Sequence, residues 1–124
     1  MSSEHKPSNY RDLLVWQKGI VLVKHVYHVT KTFPADERFG LSSQMRRAAV
    51  SVPSNIAEGQ ARHTTGAFVQ FISTAEGSLA ELDTQLVIAV DLGYCSESSV
   101  ADLYALINEL RKMLNALRRK LQSK

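Results

Sequence analysis

Residues 44–59, QMRRAAVSVPSNIAEG, decide the fold of this chain because their apolar and polar residues both follow a helical repeat. With 3.6 residues per turn, one face of this helix carries an apolar stripe, formed by Leu41, Met45, Ala48, Val52 and Ile56. A polar stripe runs beside it, formed by Gln44, Arg47, Ser51, Asn55 and Glu58. Only two members of the polar stripe are charged, so we expect a polar seam that meets another helix.

A proline interrupts the helical pattern of this segment. Pro53 removes the backbone hydrogen bond that the Ala49 carbonyl would accept, and the run could therefore be two short helices. The apolar stripe nevertheless keeps its register on both sides of the proline. We therefore predict one helix, kinked at Pro53. Ser42 or Ser43 is expected as its N-cap and Gly59 as its left-handed C-terminal residue.

Three more helices are predicted, at about residues 12–32, 65–92 and 100–121. The first ends before Phe33 and Pro34, because the residue before a proline avoids the helical conformation. The last has apolar residues that alternate three and four positions apart, which is typical of left-handed bundle packing. No period-two run indicates a strand. The sequence thus predicts an all-α fold, an antiparallel up-down-up-down four-helix bundle.

The sequence also predicts how the third helix begins, how it ends and how its middle packs. Thr64 or Thr65 is expected to cap its start, and Gly93 to end it. Gly77 lies near its middle, where glycine destabilises a helix by about 1 kcal/mol relative to alanine. We therefore expect Gly77 to allow close approach of a neighbouring helix.

Length, charge and cysteine content limit the class of protein. The chain has 124 residues and a net charge of +3, which fits one domain at 10–124 after a flexible N-terminus at 1–9. Its single cysteine, Cys95, excludes an internal disulfide and favours a reducing compartment. The first residues lack the apolar stretch of a secretory signal, and no apolar run is long enough to cross a bilayer. We therefore expect a cytoplasmic protein without a membrane contact.

Two helices carry more apolar surface than one bundle core can cover. Leu14 and Val21 lie seven residues apart on the otherwise polar side of the first helix. Leu106 and Met113 form a second apolar stripe on the last helix. A helix that is apolar on two sides is typical of a contact between subunits. We therefore predict a homo-oligomer with these four residues in its interface.

A specific series of residues connects the chain to one known family. The series comprises Leu14, Trp16, Phe33-Pro34, Phe39-Gly40-Leu41, Gln44, Arg46-Arg47-Ala48, Ser51, Pro53, Asn55-Ile56-Ala57-Glu58-Gly59, Phe68, Ala75, Gly77-Ser78 and Glu81. On these residues the chain resembles the 23S rRNA intervening-sequence proteins, a four-helix-bundle family, from about residue 10 to 120. The resemblance implies a ring, typically a homopentamer, and a related branch is basic and associated with nucleic acid. The chain departs from the family at Gly66-Ala67, where charged residues are expected.

The sequence lacks the patterns of an enzyme or a metal site. No glutamate is followed by histidine at the Glu-x-x-His spacing of carboxylate-bridged metal bundles. His25 and His28 have no second ligand pair, and Ser51 has no general base beside it. No glycine-rich phosphate loop is present. We therefore predict no catalytic residue, no metal and no cofactor.

Charged residues are the remaining candidates for a site. Residues 111–124 contain six basic residues and no acidic one. We predict contacts with RNA or a ribonucleoprotein through a set of cations, namely Arg46, Arg47, Arg111, Lys112, Arg118 and Arg119. No aromatic residues interleave with the last four, so we expect binding through backbone charge. The alternative is a structural or adaptor oligomer that recognises a protein.

Arg46 and Arg47 also have a structural interpretation. They point about 100° apart on the helix, so one of them can pair with Glu58 or Glu81 inside the assembly. On this interpretation at least one arginine belongs to a polar network with Gln44, Ser51, Asn55, Glu58 and Glu81. The sequence leaves open which arginine is structural.

Overall fold

The structure, a computed structural model, describes residues 9–123. Its four α-helices are α1 (Leu14–Thr30), α2 (Leu41–Ala61), α3 (Thr65–Asp91) and α4 (Ala101–Gln122). Short 3-10 turns precede α1, α2 and α4, at Tyr10–Asp12, Ala35–Glu37 and Ser98–Val100. No strand occurs among the described residues, and the all-α prediction is confirmed. The flexible N-terminus predicted for residues 1–9 lies outside the described residues except for Asn9.

The helices form a bundle around one core. α1 packs against α2, α2 against α3, α3 against α4, and α4 returns to α1. The apolar stripe of α2 supplies Met45, Val52 and Ile56, all fully buried. On α4, Leu103 and Leu110 are fully buried as the alternating spacing predicts. No helix in the described part of the chain is long and apolar enough to cross a membrane.

α2 continues through Pro53, as the register of its apolar stripe predicts. The proline is buried against α1. A Cβ built on Gly19 of α1 would lie 3.1 Å from the Pro53 Cβ, so the glycine lets the two helices approach closely at the proline. Sequence reasoning treated Pro53 as the cause of a kink and missed its contact with Gly19.

The N-terminus of α2 is not capped as predicted. Gly40 occupies the N-cap position, and neither Ser42 nor Ser43 makes the capping hydrogen bond. The Leu41 N–H instead donates to Glu37 Oε1 at 2.9 Å. The prediction was wrong because a 3-10 turn brings a carboxylate to the helix end, where it also stabilises the helix dipole.

The roles predicted for two glycines were also wrong. Gly59 does not end α2, which continues to Ala61, and the positive φ of 65° lies at His63. Gly59 is buried, and a Cβ built on it would lie only 2.6 Å from the Phe71 Cβ of α3. Gly77, by contrast, is exposed, and a Cβ built there would meet nothing within 4 Å. The close approach between helices is therefore at Gly59.

The predicted ends of α3 are confirmed. The Thr64 side chain accepts a hydrogen bond from the Ala67 N–H at 3.3 Å, as an N-cap does. At the other end Gly93 has a φ of 79°, the left-handed conformation that follows many helices.

Glu37 also connects the start of α2 to the loop after α3. The Tyr94 hydroxyl donates to Glu37 Oε2 at 2.7 Å, and the Tyr94 ring lies 5.4 Å from the Phe33 ring between centroids. The Leu41 N–H and the Tyr94 hydroxyl lower the pKa of Glu37 from its ordinary value of 4.5. The same hydrogen bond raises the pKa of Tyr94 from 10.0.

The lowered pKa of Glu37 predicts an acid-dependent loss of stability. A carboxyl group whose pKa falls on folding stabilises the protein above its unfolded pKa, here 4.5, and this contribution is lost as pH falls through the folded pKa. We expect Glu37→Gln to lower the urea midpoint of unfolding at neutral pH. On further acidification the variant should lose less stability than the wild type does. Asp36→Asn in the same turn is the matched control. Equal acid losses in wild type and Glu37→Gln would contradict the prediction.

Candidate functional site

The polar stripe of α2 meets α3 through two serines. The Ser51 and Ser78 hydroxyl oxygens lie 2.8 Å apart. Asn55 Nδ2 donates to both the Ser51 carbonyl, at 2.7 Å, and the Ser51 hydroxyl, at 2.8 Å. Ser51, Asn55 and Ser78 therefore form a hydrogen-bonded seam between the two helices, where the sequence predicts a polar helix contact.

Three other members of the predicted network lie at the edge of this seam without pairing. Gln44, Arg47 and Glu81 line an open concavity of about 390 Å³ together with the two seam serines. None of the three ion pairs found among the described residues includes Arg47 or Glu81. Glu81 accepts a hydrogen bond from Gln85 Nε2 at 3.2 Å. The predicted arginine–Glu81 pairing is therefore absent within the described chain.

Glu58 lies outside the network to which the sequence assigned it. Its carboxylate pairs with the Arg62 guanidinium at 2.9 Å, and both side chains are exposed. The two residues are four positions apart, the spacing at which charged side chains meet on a helix. The prediction was wrong because α2 extends past Gly59 and brings Arg62 within reach.

Arg46 is held against α1. Its Nε donates to the Thr30 hydroxyl at 2.8 Å, and its Cζ lies 4.5 Å from the centroid of the Tyr27 ring. A guanidinium over an aromatic face is attracted by the ring quadrupole. The structural partners of Arg46 are therefore a threonine and a tyrosine of α1, and within the described chain it pairs with neither Glu58 nor Glu81.

A second concavity, which we call the arginine–aromatic concavity, opens beside Arg46. It has a volume of about 500 Å³, and it is lined by Tyr27, Arg38, Phe39, Ser43, Arg46, Arg47, Val50 and Ser51. Three lining residues are arginines and none is acidic. Phe39 is 88% exposed and Tyr27 is 42% exposed. The structure thus places two sequence-predicted cations, Arg46 and Arg47, beside aromatic residues that the sequence analysis did not select as a site.

The cations of α4 divide into free and engaged residues. Arg118 Nε pairs with Glu76 Oε1 at 2.9 Å, with the two side chains only 27% and 22% exposed. Arg111 donates to the Asn108 side chain. Lys112 and Arg119 are exposed and belong to none of the ion pairs found in the described residues. Arg118 therefore holds α3 and α4 together and is less available to a partner than the sequence predicted.

The predicted interface residues differ in exposure. Leu14 and Val21 on α1 are 58% and 52% exposed. Leu106 and Met113 on α4 are half-buried and pack against the core of the same chain. A further apolar patch on α3 comprises Val87, Ile88 and Leu92. The α1 pair is thus the most open of the predicted contacts.

Two features of the described residues concern metal binding and thiol reactivity. No group of three histidine, cysteine or carboxylate side chains within residues 9–123 could hold a metal ion. Burial raises the pKa of the Cys95 thiol, which disfavours the reactive thiolate.

A comparison with known families matches most of the chain. The model of the family described as "23S rRNA-intervening sequence protein" matches residues 11–116. The chain belongs to this family. The match to the 23S rRNA-intervening sequence proteins includes the seam and both concavities but stops before Arg118 and Arg119. No curated protein matches the chain.

Proposed function

We propose that this member of the 23S rRNA-intervening sequence proteins is a non-catalytic homo-oligomer that binds the RNA backbone through the exposed cations of α4. The observation that carries the proposal is the exposure of Lys112, Arg119 and Lys120 outside the ion pairs of the described chain. Lys112 and Arg119 are seven residues apart, so they share one face of the helix. Several cations that are not paired with carboxylates attract a polyanion such as RNA and displace its counterions.

Assembly strengthens such weak contacts. The exposed Leu14 and Val21 support an oligomer, and we propose the pentameric ring that the family resemblance implies. Five chains of +3 carry 5 × 3 = +15. Because the subunits are linked, each added phosphate contact becomes intramolecular, and the ring binds more tightly than one chain.

The same proposal includes the finer architecture and the compartment. Short connections between α1, α2, α3 and α4 support an antiparallel up-down-up-down arrangement, since a short link reverses the chain direction. The missing N–H of Pro53 supports a kink in α2. The single cysteine supports a reducing, cytoplasmic location.

A salt titration tests the RNA-binding proposal. If a single strand neutralises three cations, the logarithm of the affinity should fall with the logarithm of salt concentration with a slope of about −2. Raising salt from about 50 to 200 mM should then weaken binding roughly 20-fold, measured by fluorescence anisotropy of labelled RNA. Binding that persists undiminished in high salt would overturn the proposal and favour the adaptor function.

A matched pair of double variants locates the RNA contact. We expect Lys112→Gln with Arg119→Gln to weaken RNA binding about tenfold or more and to flatten the salt slope. Lys24→Gln with Lys31→Gln removes two exposed charges at the same sequence spacing, on the last turns of α1 and just after its end, and serves as the control. Both variants keep Arg118 and should keep the wild-type mass in light scattering. Equal losses in the two variants would show that only total charge matters.

A further inference from the structure

We propose that the arginine–aromatic concavity binds an unstacked nucleotide of single-stranded RNA. This inference rests on the proposed RNA binding and gives it a second site, distinct from the α4 cations. The concavity lies between α1, α2 and the loop that joins them. Its volume of about 500 Å³ is in the range of pockets that hold small ligands.

The first observation is a ready stack of one ring and one guanidinium. Arg46 lies over the Tyr27 ring at 4.5 Å, and its Nε is fixed by the Thr30 hydroxyl at 2.8 Å. A base can stack on a guanidinium plane as well as on an aromatic ring. Because Arg46 is already ordered, a base placed on its open face would not have to order this long side chain on binding.

The second observation is the exposure of Phe39. Its side chain is 88% exposed at the end of the loop before α2, and the Arg38 Cζ lies 5.8 Å from its ring centroid. An exposed phenylalanine ring has no favourable interaction with water, but its face can stack on any base. The Leu41 N–H, two residues on, donates to Glu37 Oε1 at 2.9 Å, so the helix cap ties this end of the loop to the start of α2.

The third observation is the charge of the lining. Arg38 and Arg47 flank the aromatic residues and belong to none of the ion pairs of the described chain, while no acidic side chain lines the concavity. Arginine matches phosphate geometry through two parallel hydrogen bonds. A nucleotide can stack its base on the aromatic faces and place its phosphate against the arginines. A carboxylate of an acidic peptide would contact only the arginines, so the lining fits a nucleotide better. The duplex has no free base face, so the concavity selects single strands.

Single-strand preference is the quantity that tests this inference. We would compare the affinities of labelled oligouridine and a duplex RNA of equal length for the full chain. Because base–aromatic stacking contributes about 1–3 kcal/mol per base, Phe39→Ala should weaken oligouridine binding about tenfold and leave duplex binding unchanged. Phe39→Trp retains a stacking face and should restore binding. Val87→Ala removes an exposed apolar side chain outside the concavity and is the matched control.

The possible outcomes separate this inference from the proposed function. The nucleotide site would be overturned if Phe39→Ala weakened the binding of oligouridine and of duplex RNA equally, or if polyglutamate competed for the chain as well as oligouridine does. Either result would leave backbone binding by α4 intact. A change in assembly mass on Phe39→Ala would identify Phe39 as a subunit contact and would also overturn it. If the wild type binds neither RNA, the proposed function fails and this inference fails with it.

Discussion

Gly59→Ala is expected to destabilise the bundle by up to roughly 2 kcal/mol, because an overpacking cost of about 1–3 kcal/mol outweighs the gain from alanine as the better helix former. The added Cβ would lie 2.6 Å from the Phe71 Cβ and 3.1 Å from the Phe68 ring. A Cβ is fixed to its backbone, so Phe71 cannot turn away and α2 must separate from α3. Helix propensity favours alanine by about 1 kcal/mol, which is too little to offset this overpacking.

Gly77→Ala is the matched control for this prediction. It makes the same chemical change within α3, but its Cβ would meet nothing within 4 Å. Only helix propensity then acts, and we expect a stabilisation of up to about 1 kcal/mol. Because the gain in helix propensity is common to both, the two variants should differ by the overpacking cost alone, roughly 1–3 kcal/mol, in urea unfolding followed by circular dichroism. Similar stabilities in the two variants would show that α2 and α3 do not approach closely at Gly59.

These two glycines illustrate what a single sequence can and cannot predict. The positions of the helices follow from apolar periodicity, which is local, and the bounds of α1, α3 and α4 agree with the predicted ones to within about two residues, whereas α2 extends beyond both of its predicted caps. The role of a glycine depends on which residues of another helix lie opposite it. The sequence placed the close approach at Gly77, among small residues, whereas Phe71 on α3 lies against Gly59 on α2.

The candidate site shows the same division between local and distant information. Arg46 and Arg47 were selected from the sequence because their charge and spacing are visible there. The partners of Arg46, Thr30 and Tyr27, lie 16 and 19 positions earlier, on another helix, and no periodicity within α2 indicates them. Phe39 could have been noticed as an apolar residue between Arg38 and Gly40, outside every predicted helix. Its exposure, however, is known only from the folded chain.

The engagement of Arg118 was hidden for a similar reason. Its partner Glu76 lies 42 positions earlier on α3. Sequence reasoning grouped Arg118 with Arg119 because both belong to the basic stretch at residues 111–124. Successive residues of a helix are rotated by about 100°, so Arg118 forms a half-buried ion pair while its neighbour Arg119 is exposed.

Leu14→Lys combined with Val21→Lys is expected to convert the oligomer into folded monomers. The two side chains are 58% and 52% exposed and lie on one face of α1, so the substitutions leave the buried core untouched. Burying a leucine or a valine contributes about 1.5–3 kcal/mol. Because each side chain is already about half buried within the chain, association buries only the remaining half, and losing both contributions weakens each contact between subunits by roughly 1.5–3 kcal/mol, at least tenfold in affinity. The desolvation of two lysines adds to this loss.

Light scattering and circular dichroism together distinguish dissociation from unfolding. The variant should have the monomer mass of 13.8 kDa with the helix content of the wild type. Ser54→Lys with Ala61→Lys, an exposed pair seven positions apart on α2, adds the same charge without removing the α1 pair and should keep the wild-type mass. A wild type that already has the monomer mass would contradict the oligomer itself. A Leu14→Lys, Val21→Lys variant that stays assembled would instead move the interface away from α1. The exposed apolar side chains of Val87, Ile88 and Leu92 at the end of α3 would then be the next surface to test.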